Sequence, residues 1–113
     1  MKAILTVLLL QAMPYTAQMN YDKAYEYLIN GRIHTASIYI ERSLESKETL
    51  EATLLKVRIQ HEVYYWGAVR TYNKAKSMGD VPSFECITKG TSCGVDYYDW
   101  YVLNYKINRK AKT

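Results

Sequence analysis

The residues of this chain that could carry acid–base, nucleophilic or metal chemistry are few, and their spacing argues against such work. The two histidines, His34 and His61, stand far apart in a chain of 113 residues. No HExxH pattern occurs, and no Cys/His cluster has metal-ligand spacing. His61 and Glu62 are adjacent, which would put them on different faces of a helix. His61 therefore reads as a hydrogen-bonded, half-buried residue on a helix seam. Ser37, Ser43, Ser46, Ser77 and Ser83 lack the context of a nucleophile elbow. Glu41, Glu45, Glu48 and Glu51 could gather on one helix side. Arg42, Lys47 and Lys56 are interleaved with them, however, which is the pattern of a solvated, charge-paired face. There is no glycine-rich phosphate loop. The expectation is a protein that is not an enzyme and that has neither a cofactor nor a metal site.

The two cysteines, Cys86 and Cys93, must be read together with the N-terminus. Met1 and Lys2 supply a positive charge, and Ala3 to Leu10 is an apolar run broken only by Thr6. Gln11 to Gln18 then turns polar and contains Pro14. That order matches a secretory signal peptide, and the run is far short of the roughly 20 apolar residues that span a bilayer. Cleavage is expected after Ala17 or Ala12, although Tyr15 and Leu10 are poor residues three positions upstream. The competing reading is an apolar first helix packed on the domain, or an uncleaved anchor. Removal of the segment would leave a secreted or periplasmic protein, and such compartments favour a Cys86–Cys93 disulfide. The alternatives are free or metal-bound thiols. A redox pair fits less well, because redox motifs place two residues between the cysteines rather than six.

Tyrosine is the compositional excess, with twelve in the chain. Past the apolar run, Ile, Leu, Val and Phe are scarce, so the core must draw on Tyr, Ala and Trp. Each buried ring covers much apolar area, but its hydroxyl needs a partner. Some of these rings are expected instead on a binding surface, where Tyr and Trp offer wide amphipathic contact at low entropic cost. The candidates are Tyr25, Tyr39, Tyr64, Tyr65, Trp66 and Tyr72. Consecutive Tyr64, Tyr65 and Trp66 cannot all face inward on a helix.

Charge excludes another class. Lys and Arg number 15 against 11 Asp and Glu, a formal net charge of +4. Lys106, Arg109, Lys110 and Lys112 crowd the C-terminus, and the remainder is too mixed for a phosphate-binding surface. No nucleic-acid partner is expected. Any contact with a membrane would fall to the basic tail.

The elements that must position these residues are helical. Asn20 to Gly79 contains no proline and is rich in good helix formers. Asn20 or Asp22 could cap a first helix, with Tyr21, Ala24, Tyr25 and Leu28 on one face. Asn30 and Gly31 end it. A second helix follows from about Arg32 to Ser46, with Ile33, Ala36, Ile40 and Leu44 inward. Leu50, Leu54, Val57, His61, Tyr64 and Ala68 then recur at intervals of four and three. Either one helix runs from residue 49 to 77, or two meet in a tight turn near His61 to Tyr64. Asp80 to Gly94 reads as loop. Val95 to Ile107 reads as an aromatic helix, with acids first and bases last, and Arg109 to Thr113 as a frayed tail. The domain scheme is 1–17 signal peptide, 18–79 helical repeat region, and 80–113 disulfide loop, aromatic helix and basic tail.

The pieces around Gly31 and Gly67 are similar to each other. Ala36 is followed by Tyr39 and Ser43; Ala68 is followed by Tyr72 and Ala75; the two alanines lie 32 positions apart. A repeat near this length usually means one helical hairpin per unit. The sequence resembles the tetratricopeptide repeat family over about 60 residues. Gly31, Ile33, Ala36, Tyr39, Ile40, Arg42 and Leu44 fall in register with its second-helix pattern, and Ala24 and Tyr27 match the preceding helix. Leu55, Tyr65, Ala68, Tyr72 and Ala75 match in the second unit. Lys23, Glu48, Lys56 and Val63 depart from the pattern. The resemblance implies an all-α fold of two helix-hairpin units, which the aromatic segment would cap as a C-terminal helix. The expected function is an exported, adaptor-like module that binds a peptide or protein segment. The runner-up is a structural subunit of an envelope or surface assembly, in which self-association buries the same aromatics.

Overall fold

The computed structural model describes residues 13–111, and every regular element among them is helical. In chain order these are α1 (Tyr15–Ile29), α2 (Ile33–Ser46), α3 (Leu50–Val63), α4 (Tyr65–Met78), α5 (Phe84–Lys89), a 3-10 turn (Val95–Tyr97) and α6 (Tyr98–Ala111). Most of the segment read as a signal peptide lies outside the described residues.

α1 starts upstream of the cap expected at Asn20 or Asp22. Pro14 occupies the N-cap position, and its carbonyl accepts from the backbone N–H of Gln18 at 2.8 Å. Asn20 is an interior helical residue whose Nδ2 donates back to the carbonyl of Thr16 at 2.9 Å. Ala17 is fully buried, and its carbonyl accepts from Ser43 Oγ at 2.8 Å, which ties the first turn of α1 to α2. At the other end Gly31 takes the left-handed conformation (φ 78°). The N–H of Arg32 donates to Tyr27 O and that of Gly31 to Leu28 O, the paired bonds of a Schellman cap.

The long heptad stretch forms two helices. Thr49 caps α3 by accepting from Ala52 N at 3.2 Å. The turn to α4 is the single residue Tyr64, whose backbone is extended (φ −155°, ψ 94°). Where a hairpin usually spends a glycine, this one spends it a turn later. Gly67 is buried, and a Cβ there would stand 2.8 Å from the ring of Tyr64, which folds back over it.

α1 pairs with α2 and α3 with α4, and α2 packs on α3 to join the two hairpins. Fully buried alanines let the backbones approach: Ala24 and Ala36 in the first pair, Ala68 and Ala75 in the second. Leu28, Ile40, Leu55, Ile59 and Leu103 fill the first core cluster. Leu54, Val57 and Ile87 fill the second, and Trp100 packs against both. Lys56, out of pattern for its position, reaches Glu41 at 2.8 Å across the α2–α3 joint.

Within the stretch read as loop, Phe84–Lys89 is helical. Ser83 caps it through Cys86 N at 3.1 Å, and Gly90 ends it with φ 75°. Cys86 and Cys93 are disulfide-bonded, with Cα atoms 5.0 Å apart. α6 extends to Ala111, past the point where fraying was expected. It packs on α1 and α5, with Leu103 inserted in the first cluster. The outer residues of α4, among them Arg70, Asn73, Lys74 and Lys76, are left to solvent.

Candidate functional site

The six aromatic candidates fall in three places. Tyr25 lines a cavity between α1, α3 and α6. Tyr39 lies on the far side of the first hairpin, stacked on Tyr27 at 5.5 Å between centroids. Its ring is flanked by Lys23 (5.2 Å) and Arg42 (5.0 Å), which covers it with the protein's own cations. Tyr64, Tyr65 and Trp66 come together at the α3–α4 corner, with Tyr72 beneath them.

The corner is built by its turn. α3 ends on Val63 and α4 begins at Tyr65, so four consecutive apolar residues are carried around a one-residue bend. No single helix face can bury all four. Val63 is 67% exposed, Tyr64 52%, Tyr65 51% and Trp66 64%. The aromatic members are nonetheless held in place. Tyr65 meets Trp66 edge-on at 5.2 Å and Phe84 at 5.9 Å. Phe84 also meets His61 at 5.9 Å and Tyr72 at 5.3 Å. Tyr72 donates its hydroxyl to the carbonyl of Pro82 at 2.8 Å. Burial, with Tyr97 adding, raises its pKa. Tyr72, half-buried against the second core, thus braces the corner from beneath.

A cation borders this surface. Arg70 lies 5.4 Å over the ring of Tyr64. His61 is driven toward its neutral form: burial lowers its pKa, and Arg58 and Lys89 lower it further against the opposing pull of Glu62. Among the described residues no group of three or more His, Cys, Asp or Glu side chains is placed to hold a metal ion. No helix among them is long and apolar enough to cross a membrane.

A second arrangement escaped the sequence reading. The cavity that Tyr25 lines has a volume of about 460 Å³ and is walled also by Tyr21, Leu54, Trp100, Val102 and Leu103, with Glu51, Asp99 and Lys106 at its edge. Burial raises the pKa of Tyr21 beyond the range in which tyrosine ordinarily titrates, and Glu51, Tyr25, Asp22 and Asp99 push the same way. Tyr25 is raised too, by burial and then by Asp99. The i, i+4 spacing of Tyr21 and Tyr25 was a legible signal for one wall. The arrival of Asp99 and Trp100 from the far end of the chain was not. Compared with known proteins, the chain matches no family model, no curated protein and no solved structure.

Proposed function

We propose that this chain is an exported module of tetratricopeptide-like helical hairpins that binds a protein segment at the α3–α4 corner. The carrying observation is the exposure of Val63, Tyr64, Tyr65 and Trp66 side by side on a braced turn. Burying two such rings offers several kcal/mol of apolar transfer, roughly 1.5–3 kcal/mol per large side chain. Because Phe84, itself packed on Tyr72, already holds Tyr65, little order remains to be imposed on binding. Arg70, at the rim, suits a partner segment that carries an acid beside its apolar anchor.

Export is supported by the charged, apolar, then polar order of the N-terminus and by the disulfide, which persists where thiols are oxidised. The hairpin-repeat identity rests on the equivalence of α1–α2 and α3–α4 and on the buried alanines at matching positions. The runner-up, a structural subunit, would bury the same corner aromatics by self-association; Tyr98, Tyr101 and Tyr105 add a second exposed aromatic strip along α6. Stacking end to end over α4 is disfavoured by the charged residues on its outer face.

The test is selection of peptides from a displayed library on the oxidised protein, followed by affinity measurement against Trp66→Ser. Trp66 is exposed, so the variant keeps its fold. The reading expects selected peptides to lose at least about tenfold in affinity, or 1.4 kcal/mol. Peptides that bind the variant equally well would sink it. A concentration-stable dimer dissolved by Trp66→Ser would favour the assembly.

A further inference from the structure

The cavity between α1, α3 and α6 is independent of the corner; on α3, Glu51 and Val63 are separated by about 18 Å of helix. Its walls and charges suit one kind of guest. Tyr21, Tyr25 and Trp100 present three aromatic rings to the same space, and Glu51 and Asp99 place two carboxylates at its edge. Aromatic faces attract cations through their quadrupole, most strongly where water is excluded. Four other rings carry the protein's own cations: Arg32 over Tyr27, Lys23 and Arg42 over Tyr39, Arg70 over Tyr64, Lys76 over Tyr72. Those pairs leave Tyr21, Tyr25 and Trp100 aside. Lys106, at the cavity's edge, would compete with a cationic guest rather than assist it.

We propose that this cavity is a receptor site for an organic ammonium group, seated against Tyr21, Tyr25 and Trp100 and steered inward by Glu51 and Asp99. At about 460 Å³ it has room for more than a bare ammonium, so the guest is an alkylated amine or a lysine side chain with its stem. Both carry the same chemistry. Burial chiefly keeps the Tyr21 hydroxyl protonated, and Glu51 and Asp99 push the same way; those two carboxylates are the charges such a cation would meet.

The experiment is an NMR titration of the oxidised protein with choline, with its neutral isostere 3,3-dimethyl-1-butanol, and with a capped lysine. Choline should shift the amide signals of Tyr21, Tyr25 and Trp100 with an affinity about tenfold above that of the isostere. Replacing both exposed carboxylates, Glu51→Gln with Asp99→Asn, should weaken choline roughly two- to fivefold. Tyr25→Leu, which keeps apolar bulk but removes the ring, should weaken it also. Tighter binding by capped lysine than by choline would assign the guest to a protein segment; the reverse would assign it to a small amine. Equal binding of choline and isostere would show a merely apolar cavity and overturn the proposal. So would unchanged affinity in the variants, or no saturable shift with either amine.

Discussion

The Nε–H of Arg58 donates to Oδ1 of Asn104 at 2.8 Å, across 46 residues of chain. Asn104 in turn donates its Nδ2 hydrogens to the carbonyls of Ile87 (3.0 Å) and Trp100 (2.9 Å). One buried amide therefore ties α3, α5 and α6 together. Arg58 is only 3% exposed and also reaches Glu62. A charge buried this deeply is tolerated because it is paired and hydrogen-bonded. Asn104→Ala would orphan the guanidinium Nε and the Ile87 carbonyl. The expected loss is about 2–4 kcal/mol in denaturant unfolding. Asn104→Asp keeps an acceptor for Arg58 but gives up the donors, and its loss should be smaller.

The same amide limits the loop beside it. Gly90 sits at φ 75°, and a Cβ there would stand 2.8 Å from Cβ of Asn104. Gly90→Ala combines an unfavourable left-handed backbone with a clash, for an expected loss of about 1–3 kcal/mol. Reducing the Cys86–Cys93 bond should lower stability by about 2–3 kcal/mol, the chain-entropy value for so short a loop. Because both changes act on one joint, unfolding midpoints with and without reductant should show less than additive losses.

His61 supplies a pH dependence. Its folded pKa lies below the ordinary value of 6.5, so between those two values the unfolded chain binds more protons. The stability it contributes is present above about pH 6.5 and is lost as the pH falls through the folded value. Titration of its ring protons should give a midpoint under 6.5. The unfolding midpoint should drop as the pH falls through that window, and His61→Gln should flatten the drop. A midpoint at or above 6.5 would contradict the packing of Phe84 and Tyr65 against the ring.

How far the residues themselves disclose this architecture depends on the range of the interaction. Asn30–Gly31 was legible as a stop because a left-handed cap is local chemistry. The inward faces of α1 and α2 were legible from their period. The break at Tyr64 was legible only as one of two alternatives, a turn near His61 to Tyr64 or a continuous helix, since an extended tyrosine carries no Gly or Pro signal and Gly67 lies beyond the bend. α5 hid between loop-like residues, although Ser83 before it and Gly90 after it were capping signals in plain view. The binding candidates were scattered for a different reason. Tyrosine is amphipathic, so spacing cannot tell a ring that braces, such as Tyr72, from one that is displayed, such as Tyr65. Asn104 acts through partners 17 and 46 residues away in sequence, and Trp100 through both core clusters, which no local pattern encodes.

The two candidate cleavage sites of the proposed signal peptide differ in what they would cost the fold. Cleavage after Ala17 would remove the first turn of α1 and the carbonyl that accepts from Ser43. Cleavage after Ala12 would spare both. Under the proposed export, the mature chain is expected to begin at Met13 by intact mass. A product beginning at Gln18 would contradict this, and that shortened form should unfold at lower denaturant, because Ser43 would be buried without its acceptor.

The central claim is that the Val63–Trp66 corner is a recognition surface. Its most direct test is site-specific photo-crosslinking in cells that export the protein, with the photoreactive residue at position 66 and, as control, at position 73 on the polar outer face of α4. The account predicts a discrete adduct from position 66, larger than the chain by the mass of one partner, and none from position 73. Equal crosslinking at both positions, or none at position 66, would contradict it.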